Sequence, residues 1–297
     1  MNSQNKHSFA IFGLLFGAAS WGVIWYPYRI MAEAGVSGVV SSVYTYAIAL
    51  IIASIIFARN WRGMLHLPLG VIWLSLAAGW TNLSYVLAII DGEVMRVMLL
   101  FYLSPVWTLL LARFWLKEKP QRIGYVAISI SLVGAFIMLH DPFLGGLPLP
   151  RNNAEWLALS SGFGFSLTNV ITRRSNHLSL LTKSFAVWVG VLVVAIVFIP
   201  VVNAPFVAPN VFSFTSWLVM GLIALLLMAA TLFVQYGVTH IEATRASVLF
   251  LFELVVAAVA AYYLANEIMD INEWIGGGLI VISAIIAAIQ QQRTMSE

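Results

Sequence analysis

The chain has 297 residues, 61% of them hydrophobic and only 9% charged, with 15 Lys and Arg against 12 Asp and Glu. A soluble domain carries about 25% charged residues because it must cover itself with surface that water accepts, and a chain this poor in charge cannot. Cysteine is absent, which excludes disulfides, thiolate catalysis and Cys-based metal sites.

Apolar stretches near the length of a membrane-crossing helix, about 20 residues, recur from end to end. The first, 9–31, follows Lys6 and His7 and carries Ser20, Trp21, Gly22 and Pro27. Secretory apolar regions run about 7–15 residues, so this one is predicted to be a retained span. The next are 39–58 and 69–90, the latter with Trp80, Asn82, Ser84 and Tyr85 near its middle. Span 94–116 opens on Glu93 and Arg96 and carries Tyr102, Ser104 and Pro105; span 123–139 presents Ala127, Ser131 and Ala135 at four-residue spacing. In the second half come 154–172 with Ser166, Thr168 and Asn169, then 180–199, then 214–238 with Thr231 and Gln235. Span 243–264 opens on Glu242 and Arg245 and holds Glu253 at its centre; 274–289 carries Gly276, Ala284 and Ala288. The longer connections, 141–153 and 200–213, contain proline and little charge. The expected fold is an all-α membrane protein of ten transmembrane helices.

Charge placement sets an orientation. Lys6, Arg59, Arg62, Arg113, Lys117, Lys119, Arg122, Arg173, Arg174, Lys183, Arg245 and Arg293, twelve of the 15 basic residues, fall on the side of the N-terminus. Positive charge collects on the cytoplasmic side, so both termini are expected there, with the chain multi-pass in a bacterial inner membrane.

A shift of 149 residues lays Glu93 and Arg96 on Glu242 and Arg245, Leu100-Phe101 on Leu249-Phe250, and Glu118 on Glu267. Five spans per half is an odd number, so the second copy is inverted. The expected units are 1–148 and 149–297, an inverted-repeat plan common in secondary transporters. A duplicated scaffold without transport activity is the plainer alternative.

The segment Leu103-Ser-Pro-Val-Trp-Thr-Leu-Leu-Leu-Ala-Arg-Phe-Trp-Leu-Lys-Glu118, followed by Gly124 and Gly134, resembles the signature of the drug/metabolite transporter superfamily, as does Ser20-Trp21-Gly22. Within it the chain is similar to the EamA-type group and, through Trp21 and Trp25-Tyr26, to aromatic amino acid exporters. The second half departs from the pattern, with Glu253 and Leu254 where the first has Ser104 and Pro105. The resemblance implies export of amino acids, aromatic ones among them, by alternating access.

Glu253 is the most informative single residue. A charge at the bilayer centre costs about 2.5–3.5 kcal/mol on insertion scales, so an acid there faces the bundle interior or is protonated. It is a candidate proton carrier or partner for a substrate ammonium; a neutral acid bonded to a neighbouring helix is the bland alternative. Trp21, Trp80, Asn82, Ser84, Tyr85, Tyr102, Ser104, Ser166, Asn169 and Gln235 complete the candidate substrate-binding set. Trp80 and Ser84 share one helix face, Asn82 and Tyr85 another. Amphipathic aromatics suit a ligand with an apolar ring and a polar tip, although interhelical hydrogen bonding explains any one of these groups equally well. Pro27 and Pro105 are candidate hinges. The pairs Glu93/Arg96 and Glu242/Arg245 are candidate gates, or simply helix caps. The small-residue faces of spans 123–139 and 274–289 suit close packing, as scaffold or subunit contact. Trp61, Trp115, Trp156, Trp217 and Trp274 sit near span ends, as interfacial aromatics do.

No phosphate-binding Gly-x-x-x-x-Gly-Lys motif, His-x-x-x-His pair or Gly-x-Ser-x-Gly elbow occurs. No cofactor, metal or nucleic acid is expected, and the partners are a small molecule and the lipid bilayer. Monomer and homodimer stay open. A proton-coupled exporter of cationic drugs, with Glu253 as the binding charge, is the alternative within transport; a membrane scaffold or enzyme is the alternative outside it.

Overall fold

Helix starts in this chain are marked by hydroxyl and amide side chains. Ser37, Asn152, Ser179 and Ser213 each accept a hydrogen bond from the backbone N–H three residues on, at 3.4, 2.9, 3.0 and 3.0 Å, which satisfies a donor the helix cannot. The computed structural model describes residues 3–59, 69–91, 94–117, 122–139, 150, 152–265 and 271–294, and every regular element among them is helical.

The first five helices are α1 (Ser3–Glu33), α2 (Gly38–Ile56), α3 (Leu69–Asp91), α4 (Val94–Phe101) and α5 (Ser104–Leu111), the last running into a π-helical turn, Ala112–Leu116. Then follow α6 (Arg122–Leu139), α7 (Asn153–Arg174), α8 (Leu180–Phe198), α9 (Phe214–His240), α10 (Ala243–Phe250), α11 (Phe252–Ala265) and α12 (Ile271–Thr294). Among the described residues six stretches are long and apolar enough to cross a bilayer: Asn5–Glu33, Gly38–Ile56, Leu69–Ala88, Leu180–Phe198, Phe214–His240 and Arg245–Leu264.

Two expected spans are broken. The sequence reads 94–116 and 243–264 as continuous, but the first divides between α4 and α5 and the second between α10 and α11. At each break the helix tightens into i→i+3 bonds. Leu103 N–H donates to Leu100 O at 3.3 Å and Val106 N–H to Leu103 O at 3.0 Å; Leu251 N–H donates to Val248 O at 3.1 Å and Leu254 N–H to Leu251 O at 3.2 Å. Such tight turns inside a helix mark hinges or strain. Pro105 stands in the first turn of α5, where its missing N–H costs nothing. The break before α11 has no proline, so such a break forms without one. Pro105→Ala is therefore expected to keep the break, read as faster hydrogen exchange at Ser104 and the new amide at 105 than in the helices on either side; strong protection there would make the proline its cause. Pro27, the other proposed hinge, lies inside α1, which runs through it uninterrupted.

The packing is apolar outside and finely polar inside. Phe214 is 84% exposed and Phe114 74%, whereas Ser41, Thr45, Ser84, Ser161 and Ser184 are fully buried. Small polar residues let helices approach closely and bond across the gap, which is how membrane helices associate. Trp115, Trp156 and Trp274 are exposed; Trp61 lies outside the described residues. α3 packs between α7 and α8, α1 against α9 and α11, and α4 and α5 against α7. The small faces of α6 and α12 meet one another: Ser283 Oγ donates to Ala127 O at 2.8 Å, and a Cβ on Gly134 would stand 2.8 Å from Gly276 O. These faces are thus used within the chain.

Candidate functional site

Three helices turn the same stripe towards the middle of the bundle. α3 presents Ala78, Thr81, Asn82 and Tyr85, α7 presents Phe165, Thr168, Asn169 and Thr172, and α9 presents Thr231, Val234, Gln235 and Val238. Each set has the spacing i, i+3, i+4, i+7 of one helix face. Together with Trp21, Tyr46, Phe101, Val187, Val191 and Glu253 they enclose a cavity of about 110 Å³.

Glycine brings two helices within reach of the cavity. A Cβ on Gly22 would lie 2.9 Å from Glu253 O, and one on Gly162 2.6 Å from Phe101 O. The first contact sets α1, with Trp21, against the start of α11; the second sets α7 against the end of α4. Glu253, in the first turn of α11, is 7% exposed and faces this space. Tyr85 and Tyr102 lie close to its carboxyl. An aromatic wall ties the two broken helices together: Tyr85 to Phe101 with centroids 5.1 Å apart, Phe101 to Phe165 at 5.5 Å, Phe165 to Phe250 at 5.0 Å.

The polar groups of the cavity are only partly used by the protein. Thr81, Thr168 and Thr231 donate to the carbonyl four residues back, at 2.7, 2.9 and 2.7 Å, which leaves their oxygens able to accept. Asn82 Nδ2 donates to the Tyr46 hydroxyl at 3.3 Å. Among the described residues Asn82 Oδ1, Asn169 Nδ2 and Gln235 Oε1 are buried without a hydrogen-bond partner, and the Tyr102 hydroxyl lies against the Glu253 carboxyl. Buried polar atoms of this kind cost about 1–3 kcal/mol each if nothing meets them. A site that presents acceptors, a donor, a carboxyl and aromatic faces together matches the pattern of small-molecule pockets, mostly apolar with a few convergent polar groups. Among the described residues no three His, Asp or Glu side chains come together as a metal site.

The proposed binding residues divide. Trp21, Asn82, Tyr85, Asn169, Gln235 and Glu253 line the cavity. Trp80 and Ser84 take the opposite face of α3: Trp80 Nε1 donates to Ser160 Oγ at 3.3 Å, and Ser84 Oγ to Trp80 O at 2.6 Å. Ser166 Oγ donates to Ser104 O at 2.7 Å, so both serve the α5–α7 contact. Tyr102 stands behind the lining. Tyr46, Thr81 and Thr172 are polar wall residues missed by sequence reasoning; hydroxyl side chains within apolar spans were their only signal. Of the proposed gates, Glu93 and the Arg96 side chain lie outside the described residues. Arg245 Nε pairs with Glu242 Oε2 at 3.0 Å, and Glu242, though at the N-cap of α10, makes no side-chain cap bond.

The chain is 24% identical over 241 residues to an S-adenosylmethionine uptake transporter of Rickettsia prowazekii (strain Madrid E), covering 79% of this chain and 75% of that one. An uncharacterized transporter of Archaeoglobus fulgidus is likewise 24% identical, over 212 residues, 70% of this chain and 72% of its own length. A solved crystal structure superposes with a TM-score of 0.78 at 16% identity over 97% of this chain and 99% of the other, which speaks to the fold alone. The pattern of the EamA-like transporter family matches residues 8–140 and again residues 152–289; the chain belongs to that family.

Proposed function

We propose that this protein is a secondary transporter of amino acids, aromatic ones among them, and of similar small metabolites, working by alternating access across a bacterial inner membrane with both termini in the cytoplasm. The observation that carries the reading is the central cavity, where Glu253, three amides and an aromatic wall offer partners for an ammonium, a polar head and a ring. Ten spans in two inverted halves, 1–148 and 149–297, supply the moving parts. Support for the halves comes from α4 and α10, eight-residue helices 149 positions apart that each end in the same tight break. The family pattern occurring once in each half supports it too. Substrate contacts are assigned to Trp21, Asn82, Tyr85, Asn169, Gln235 and Glu253, with hinges at the two breaks. The resemblance to exporters suggests outward flux. Alternating access itself runs either way as the gradient dictates, and the Rickettsia relatives are named for uptake.

Glu253 favours a second reading, a carrier for organic cations held between a carboxyl and aromatic rings by cation–π contact. S-adenosylmethionine, after which those relatives are named, combines both features: a sulfonium cation and an amino acid head on one molecule.

Purified protein reconstituted alone into liposomes separates the readings. It is offered tryptophan, phenylalanine and a quaternary ammonium dye, with and without a pH gradient. Equilibration of the amino acids without added nucleotide is expected. Movement of the dye alone, in proportion to the pH gradient, would replace the first reading with the second.

A further inference from the structure

The two broken helices meet at their breaks. Tyr102 stands in the tight turn between α4 and α5, and Glu253 in the first turn of α11, just after the other break. The Tyr102 hydroxyl lies against the Glu253 carboxyl. The Tyr102 ring belongs to one apolar cluster with Leu251 and Leu254. Those two leucines supply the N–H groups of the tight bonds in the second break. A side chain from one break is thus seated on the other.

Tyr102 is 3% exposed and does not line the cavity, whereas Glu253 does. Among the described residues its hydroxyl has no partner besides this carboxyl. A buried hydroxyl is costly unless it is bonded. A phenol has one hydrogen to donate, and a carboxyl has two oxygens to accept. One oxygen held from behind leaves the other for a ligand ammonium in the cavity. The link occurs once. The shift of 149 residues lays Tyr102 on Leu251 and Ser104 on Glu253, and a leucine cannot donate in return.

We propose that Tyr102 is the positioning residue of Glu253, aiming its carboxyl into the cavity and passing the arrival of an ammonium to the α4–α5 break. The proposal rests on the reading of Glu253 as the ammonium contact and deepens it. A ligand that draws the carboxyl forces the Tyr102 hydroxyl to follow or let go, and either disturbs the turn that carries it. The competing account is packing, in which the ring fills space and the hydroxyl is idle.

The test pairs calorimetric titration of the purified full-length protein with phenylalanine and hydrogen exchange at Leu103 and Ser104 under saturating phenylalanine. Neither residue lines the cavity, and wild type is expected to bind with a change in exchange at both. Tyr102→Phe keeps the ring and leaves Phe101, which does line the cavity, in place. It is expected to weaken phenylalanine about tenfold, as a lost hydrogen bond to a charged group implies. The exchange response should vanish with it, even at saturation. Wild-type affinity in Tyr102→Phe, with weaker binding only in Tyr102→Leu, identifies packing and overturns the proposal. So does an exchange response that survives in Tyr102→Phe, or one missing from a wild type that binds. Glu253→Gln tests the underlying reading separately: undiminished phenylalanine binding removes the acid from the site, and the proposal with it. A wild type that does not bind phenylalanine overturns the amino acid reading and this link together.

Discussion

Glu253→Gln is expected to lower transport of ammonium-bearing substrates by up to about a hundredfold, because a charge-assisted hydrogen bond is worth about 1.5–3 kcal/mol and each 1.4 kcal/mol is tenfold. The substitution keeps the side chain's length and one carbonyl oxygen, so Trp21, Tyr85 and the Gly22 contact to the Glu253 backbone stay where they are. Glu253→Asp, shorter by one methylene, should retain part of the activity. Glu253→Gln is also expected to raise the melting temperature of the substrate-free protein, since an uncharged amide is cheaper than a carboxylate to keep at membrane depth. Transport down and stability up is the signature of a group kept for function. If Glu253→Gln lowers both together, the residue is a structural hydrogen-bond partner. Unchanged transport of phenylalanine would remove Glu253 from the amino acid path.

The helices were legible because their cause is local. Apolar runs of bilayer length place most of the ends within a few residues of those observed. The breaks before Ser104 and Phe252 were not legible as breaks. In the first, Pro105 was visible but stands at the start of α5, a position a helix tolerates; in the second, Leu251 and Leu254 carry no breaking signal. The site was half legible for a related reason. Sequence spacing says which residues share a face of α3 but not which face looks inwards. Asn82 with Tyr85 and Trp80 with Ser84 are equal candidates until α7 and α8 are in place. Tertiary packing decides, and sends Trp80 to Ser160. Lys183 shows the limit most clearly. In the charge count it is one more basic residue near a helix end, and only the approach of Thr239 on α9 reveals that it is buried.

The largest effect on stability is expected at the crossing of α3 and α8, where the two backbones touch. A Cβ on Gly190 would stand 2.0 Å from the Ser75 carbonyl oxygen, and one on Gly79 2.5 Å from Gly190 O. The obstacle in both cases is main chain, which cannot rotate aside as a side chain would. Even Gly190→Ala must push the helices apart, and overpacking of this kind costs typically about 1–3 kcal/mol, occasionally more; Gly190→Leu is expected to yield no monodisperse protein. The displacement also reaches the cavity, because α3 carries Thr81, Asn82 and Tyr85 and α8 carries Val191 next to Gly190. Substrate binding should therefore weaken in any Gly190→Ala protein that folds. Gly221→Ala is the control: nothing lies within 4 Å of its Cβ position, and the added helix propensity, up to about 1 kcal/mol, should leave melting unchanged or raise it. Thermal melting of the three variants in one detergent decides the matter. A Gly190→Ala protein as stable as Gly221→Ala would mean that α3 and α8 do not cross as closely as their glycines indicate.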